Sequence, residues 1–88
     1  PVQFVLVAPG ATSVAVAGDF NDWQPERLPL RRSNGGLWSA AVPLPGGRYT
    51  YSFLVDGRRW VADPTAPRAP GDDFGAPSSV VMVGVPTP

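Results

Sequence analysis

Twelve prolines and ten glycines divide these 88 residues into short apolar segments, and this punctuation constrains the fold more than any other feature. Both residues weaken a helix interior, proline by lacking an N–H and glycine through its backbone entropy. No segment between them repeats its apolar residues every 3.6 positions. Several repeat them every second position, the spacing of a half-buried strand. The prolines and glycines follow no fixed period, so neither a collagen-like nor a low-complexity chain is indicated.

Residues 3–7 predict a first strand, closed by Ala8-Pro9-Gly10, and residues 13–17 a second in which Val alternates with small residues. Residues 28–32 predict a short edge strand, because Pro29 has no N–H to give to a ladder, and Asn34-Gly35 predicts a turn. Residues 36–44 read as a fourth strand. Pro45-Gly46-Gly47 then turns the chain into residues 48–55, where Tyr49, Tyr51, Phe53 and Val55 fall on one face and form the expected core. Asp56-Gly57 predicts a tight hairpin to residues 59–61, and residues 79–85 close the domain after a Pro-rich, acidic connection. The expected architecture is all-β: a single domain over residues 1–88, an immunoglobulin-like antiparallel β-sandwich of seven or eight short strands. A small barrel is the alternative.

Composition excludes several functions. Seven arginines balance seven acids and are spread along the chain, so no basic face offers itself to a phosphate backbone and nucleic acid is not an expected partner. Cysteine and histidine are absent, which removes disulfides, thiolate sites, the commonest metal ligand and the commonest general base. No metal and no cofactor is expected. No apolar run approaches the ~18 residues that a membrane helix needs, and the first residues lack a basic-then-apolar signal pattern. The chain begins and ends on proline, which predicts a domain cut from a longer protein.

Ala17-Gly18-Asp19-Phe20-Asn21-Asp22-Trp23 stands apart between two strand-like runs. It is too polar for a core and too aromatic for an ordinary loop. Gly, Asp and Asn favour turns and left-handed geometry, so the indole of Trp23 should project from a loop as a flat amphipathic platform. With this stretch go Leu28-Pro29-Leu30, Leu44-Pro45-Gly46-Gly47, Tyr51-Ser52-Phe53-Leu54-Val55-Asp56-Gly57 and Asp63-Pro64. In that order they resemble the glycogen-binding domain of AMP-activated kinase beta subunits and the family-48 carbohydrate-binding modules, the isoamylase N-terminal-like early-set domains. The resemblance runs from about Val2 to Val83 and implies the same sandwich fold.

Catalysis needs a nucleophile or proton acceptor held beside a partner in a dry pocket. The carboxylates Asp19, Asp22, Asp56, Asp63, Asp72 and Asp73 all sit beside or within two residues of Gly, Pro or Asn, where an acid normally serves a turn. The hydroxyls have no histidine base, so the segment is not expected to be an enzyme. The aromatics are the better lead. A glucose ring presents a fairly apolar face of axial C–H groups that can lie on an indole while its rim hydroxyls seek hydrogen bonds. The Trp matching Trp23 in the resembled family stacks on sugar; the bland alternative is a core anchor. Trp38, after Gly36-Leu37 at the start of a strand, reads as packing.

Trp60 depends on register. A strict two-residue Asp56-Gly57 hairpin pairs Phe53 with Trp60 and buries the indole, whereas a three-residue loop or bulge puts Trp60 on the face of Ser52 and Leu54. The second arrangement is expected, because three aromatics already supply the core face and a fourth would overpack it. The resemblance assigns further positions. Ser52 stands where the kinase subunits carry a Lys, and Arg58 or Arg59 replaces that donor only if the hairpin points inward. Phe74 stands for a Leu that wedges against the glucan, the alternative being a plug over the open end of the sandwich. Ser78 stands for an Asn that bonds sugar, and Ala76 for a Thr.

The expected role is a non-catalytic module binding an α-1,4-glucan or maltooligosaccharide, with Trp23 and Trp60 as platforms, Phe74 as wedge and Asn21, Ser52 and Ser78 as polar rim. The alternative is a sandwich of the same fold that contacts other domains of its parent protein, accessory to an amylolytic or glycogen-branching enzyme. A cytoplasmic setting would follow only from the glycogen-binding role.

Overall fold

The computed structural model describes residues 1–70 and 77–84. Seven strands form among them: β1 (Val2–Val7), β2 (Val14–Gly18), β3 (Arg31–Ser33), β4 (Leu37–Val42), β5 (Gly47–Val55), β6 (Arg59–Val61) and β7 (Ser79–Val83). All pairings are antiparallel. One sheet has the order β1-β4-β3; the other is built on β5. The nine-residue β5 pairs with β2 along one side, from Val14 opposite Val55 to Gly18 opposite Tyr51. Its other side carries β6 near the C-terminal end and β7 near the N-terminal end. The result is the immunoglobulin-like sandwich that the alternating segments predict.

Alternation decides what is inside. Phe4 and Leu6 of β1, Val14 and Val16 of β2, and Tyr51, Phe53 and Val55 of β5 are buried in one cluster with Leu30 and Trp38. Tyr51 meets both Phe4 and Phe53 edge to face, with centroids 4.9 and 5.8 Å apart. Such pairs add about 0.5–1.5 kcal/mol to the burial of their area. Tyr49 lies at the margin of this core, only partly buried, its hydroxyl donating to the carbonyl of Pro45 at 2.7 Å. Trp38 is a core residue as expected: it is buried and its indole N–H donates to the carbonyl of Ala8 at 3.0 Å.

The segment expected to be one edge strand serves both sheets. Its first half lies against β2, where the N–H of Val16 donates to Leu28 and that of Leu30 to Val14, at 3.0 and 2.8 Å. Pro29 bridges Ala15 between those two bonds, at the point where a missing N–H costs the ladder nothing. The second half, β3, pairs with β4 in the other sheet. The fourth strand ends at Val42 rather than 44, before Pro43 and Pro45. The last part of the expected closing strand, Val85, lies outside the described residues.

Candidate functional site

β2 ends at Gly18, where a side chain has no room: a Cβ would lie 2.7 Å from the ring of Phe20 and from the carbonyl oxygen of Thr50. The chain then makes a single 3₁₀ turn, Asp19–Asn21. Phe20 reaches back into the sandwich, 5.2 Å from the ring of Phe4 and 6.2 Å from that of Tyr49, and so anchors the loop to the core. Asn21 staples it: its Oδ1 accepts from the N–H of Gly18 at 2.9 Å and its Nδ2 donates to the carbonyl of Val16 at 3.0 Å.

Two residues in left-handed geometry follow, Asp22 at φ 56° and Trp23 at φ 57°. Asp tolerates that region; for a bulky residue such as Trp it is a true outlier, of the kind found where structure is held for a purpose. The N–H of Trp23 donates to the carbonyl of Gly18 at 3.0 Å, which closes the turn. The side chain then stands out from the loop, 37% exposed. Its indole N–H donates to Oδ1 of Asp19 at 3.1 Å, and Oδ2 of the same carboxylate accepts from the N–H of Thr50 at 2.7 Å.

The hairpin after β5 has three residues, Asp56-Gly57-Arg58, with Val55 opposite Arg59 and Leu54 opposite Trp60. Trp60 is therefore on the outer face with Leu54 and Ser52, half-buried, and the inner face is left to Tyr51, Phe53 and Val55. The loop carrying Trp23 and the hairpin carrying Trp60 lean on the same strand, at Thr50 and at Leu54. Arg59 takes the other face and lines a cleft of about 440 Å³ with Leu6, Val55 and Asp56. Among the described residues no aromatic side chain lines that cleft. A second groove, about 280 Å³, is lined by Val14, Ala15, Pro25, Glu26, Leu54 and Gly57, with neither Trp23 nor Trp60 in its lining.

The three residues expected as polar rim are buried in this structure. Asn21 is 8% exposed, with both ends of its amide engaged in the loop. Ser52 is fully buried opposite Ala17 and donates to the carbonyl of Val61 at 3.2 Å. Ser78 is buried as well. None of the three presents a free polar group, and among the described residues every buried side-chain nitrogen or oxygen has a partner. Phe74 and Ala76 lie outside the described residues. Asp19, read as a turn residue, instead bonds the indole and a strand 31 positions away. Its spacing four residues before Trp23 was the one local sign.

Two other acids do structural work. Asp56 accepts from the N–H and hydroxyl of Thr12 and the N–H of Ser13, bonds that hold its carboxyl below the usual carboxylate range. Buried Asp63 accepts from the hydroxyls of Tyr51 at 2.6 Å and Thr65 at 2.7 Å. Burial first, then this bond and the charge of Asp63, push the Tyr51 phenol well above its ordinary value. Among the described residues no three His, Cys, Asp or Glu side chains gather as a metal site, and no helix is long and apolar enough to cross a membrane.

The family model of carbohydrate-binding module 48, the isoamylase N-terminal domain, matches residues 1–66. The chain belongs to this family. Trp23, Trp60 and Ser52 lie within the matched span; Phe74 and Ser78 lie beyond it. Among curated relatives, the 1,4-alpha-glucan branching enzyme GlgB 2 of Xanthomonas campestris is 46% identical over 69 residues, covering 74% of this chain and 10% of its own length. The 1,4-alpha-glucan branching enzyme GlgB of Ralstonia nicotianae is 38% identical with 99% of this chain and 12% of its own length covered. That of Deinococcus radiodurans is 44% identical over 68 residues, with 75% and 10% covered. This family-48 module thus spans about a tenth of the length of these relatives.

Proposed function

We propose that this module binds α-1,4-glucans by stacking a glucose ring on Trp23, with Trp60 as a second platform and Phe74 as wedge. The observation that carries the reading is Trp23 itself, a large aromatic exposed at 37% on a backbone held in left-handed geometry. A core anchor would not need that exposure. The outer-face position of Trp60 supports a two-indole site, since both indole-bearing segments lean on β5. Burial of Asn21, Ser52 and Ser78 leaves few polar contacts, so binding should be weak, with a Kd of about 10 μM to 1 mM. Calorimetry with maltoheptaose and β-cyclodextrin tests this, together with sedimentation on starch or glycogen against cellulose. Absence of heat at millimolar sugar and of starch sedimentation would remove the reading.

A second role is favoured by a separate observation. On β1, one of the two edge strands of its sheet, Val5 and Val7 are exposed on the outer face, and Val7 pairs with Leu37. Contiguous outward apolar residues at an edge suit a contact with another domain. We place this module as the accessory domain of a glucan-branching enzyme, in keeping with the names of its relatives. The two roles use different sheets and are compatible.

A further inference from the structure

We infer that Asp19 is a positioning residue for sugar binding, one that holds the Trp23 indole so that its face, and not its N–H, is offered to the ligand. The inference rests on the glucan reading above. Thr50 lies on β5 one residue beyond the last β2 pair, Gly18 with Tyr51, so its N–H has no further β2 carbonyl to meet. Oδ2 of Asp19 takes that place at 2.7 Å. Oδ1 accepts the indole N–H at 3.1 Å. A planar carboxylate with one oxygen fixed on a strand gives the other a set direction, and the indole inherits it. An acid that merely served its turn would accept from neighbouring backbone N–H groups. Asp19 instead bonds the strand and the ring.

Two consequences follow. Indole nitrogen is a donor only and has one hydrogen, so with that hydrogen engaged Trp23 contributes an apolar face and hydroxyl recognition falls to other groups. A side chain already fixed before the ligand arrives has less rotamer freedom to lose on binding, which corresponds to about a 2- to 10-fold gain in affinity per such side chain.

The test is a double-mutant cycle read by maltoheptaose titration of the wild-type chain, Asp19→Asn, Trp23→Phe and the double variant. Asparagine keeps one acceptor and presents an NH₂ group to the other donor, so affinity should fall by about 2- to 10-fold. In the Trp23→Phe background, where the indole N–H is gone, Asp19→Asn should cause no further loss. An equal loss in both backgrounds, or no loss in the first, would overturn the positioning role. If Asp19→Asn fails to fold, exchange of the Trp23 indole proton decides in the wild type: it should stay protected when maltoheptaose saturates, and deprotection by sugar overturns the inference. Maltoheptaose that fails to bind the wild type, or binds Trp23→Ala equally well, removes the glucan site and the inference together; binding that is lost in Trp23→Ala but uncoupled from Asp19 removes the inference alone.

Discussion

Leu54 and Trp60 face each other across the β5–β6 ladder, and this pairing sends the Trp60 indole to the outer face. It depends on a loop of three residues in which Asp56 and Gly57 are left-handed, at φ 56° and 71°. Two left-handed residues are also what a two-residue type I′ hairpin requires. Deleting Arg58 should therefore leave Val55 opposite Arg59 and Leu54 opposite Trp60, with a melting temperature within ~5 °C of the parent. Cross-strand nuclear Overhauser contacts check it. Contacts between Trp60 and Phe53 in the variant would mean that the strand has slipped by one residue and turned the indole inward.

The other two tryptophans should separate cleanly on truncation. Trp38 is buried with its N–H bonded to Ala8, and Arg32 lies 5.8 Å from its ring centroid. Trp38→Ala should cost ~3–5 kcal/mol, enough to unfold much of so small a domain. Trp23→Ala removes a side chain that stands out from the loop, and should change stability little while abolishing maltoheptaose binding. Urea midpoints and calorimetry on both variants check the pair. The reverse order of midpoints would show platform and core to be exchanged.

The strands and the Trp60 register were legible because they depend on local signals: period-two alternation, Pro and Gly between runs, and a core face already filled by Tyr51, Phe53 and Val55. What was not legible depends on what covers a residue. Alternation correctly sets Ser52 on the outer face with Leu54, yet Ser52 and its cross-strand neighbour Ala17 are both at 0% exposure, so that face is roofed at this row. Asn21 has the chemistry of a sugar ligand and of a loop staple alike, and only the carbonyl of Val16 and the N–H of Gly18 at its two ends tell them apart. The switch of residues 28–33 from one sheet to the other leaves no mark in a pattern read one strand at a time. Asp19 looks in sequence like an acid serving its own turn because its partner Thr50 is 31 positions away.

Asp56 should contribute to the acid limb of stability. Its folded-state pKa is depressed by bonds from Thr12 and Ser13, so the stabilisation is present above the unfolded carboxyl value of about 3.9 and is lost as pH falls through the lower folded value. Asp56→Asn tolerates the same left-handed backbone but carries no charge to bind those donors. The variant should be less stable than the parent at neutral pH, with the difference shrinking toward pH ~2. Urea midpoints measured across that range decide it. A difference that stays constant with pH would mean that the carboxylate charge adds nothing to the Thr12 and Ser13 bonds.

At the alkaline end the relevant pair is Tyr51 and Asp63. The phenol is buried among Phe4 and Phe53, and its hydroxyl donates to Oδ2 of Asp63 at 2.6 Å. Its pKa is raised in the fold, so below the unfolded value of about 10 the phenol is protonated in both states and the bond is intact. Above that value the unfolded chain loses the proton first, and stability falls as pH rises toward the folded value. Tyr51→Phe keeps the ring contacts and removes both the bond and the titration. It should cost about 1.5–3 kcal/mol at neutral pH, as expected for a hydrogen bond to a charged acceptor, while Asp63 retains its bonds from Thr65. Between pH ~9 and 11 the gap between wild type and variant should narrow, because only the wild type pays for ionising a buried phenol. Parallel declines over that interval would show that the buried tyrosine is not what limits this domain in base.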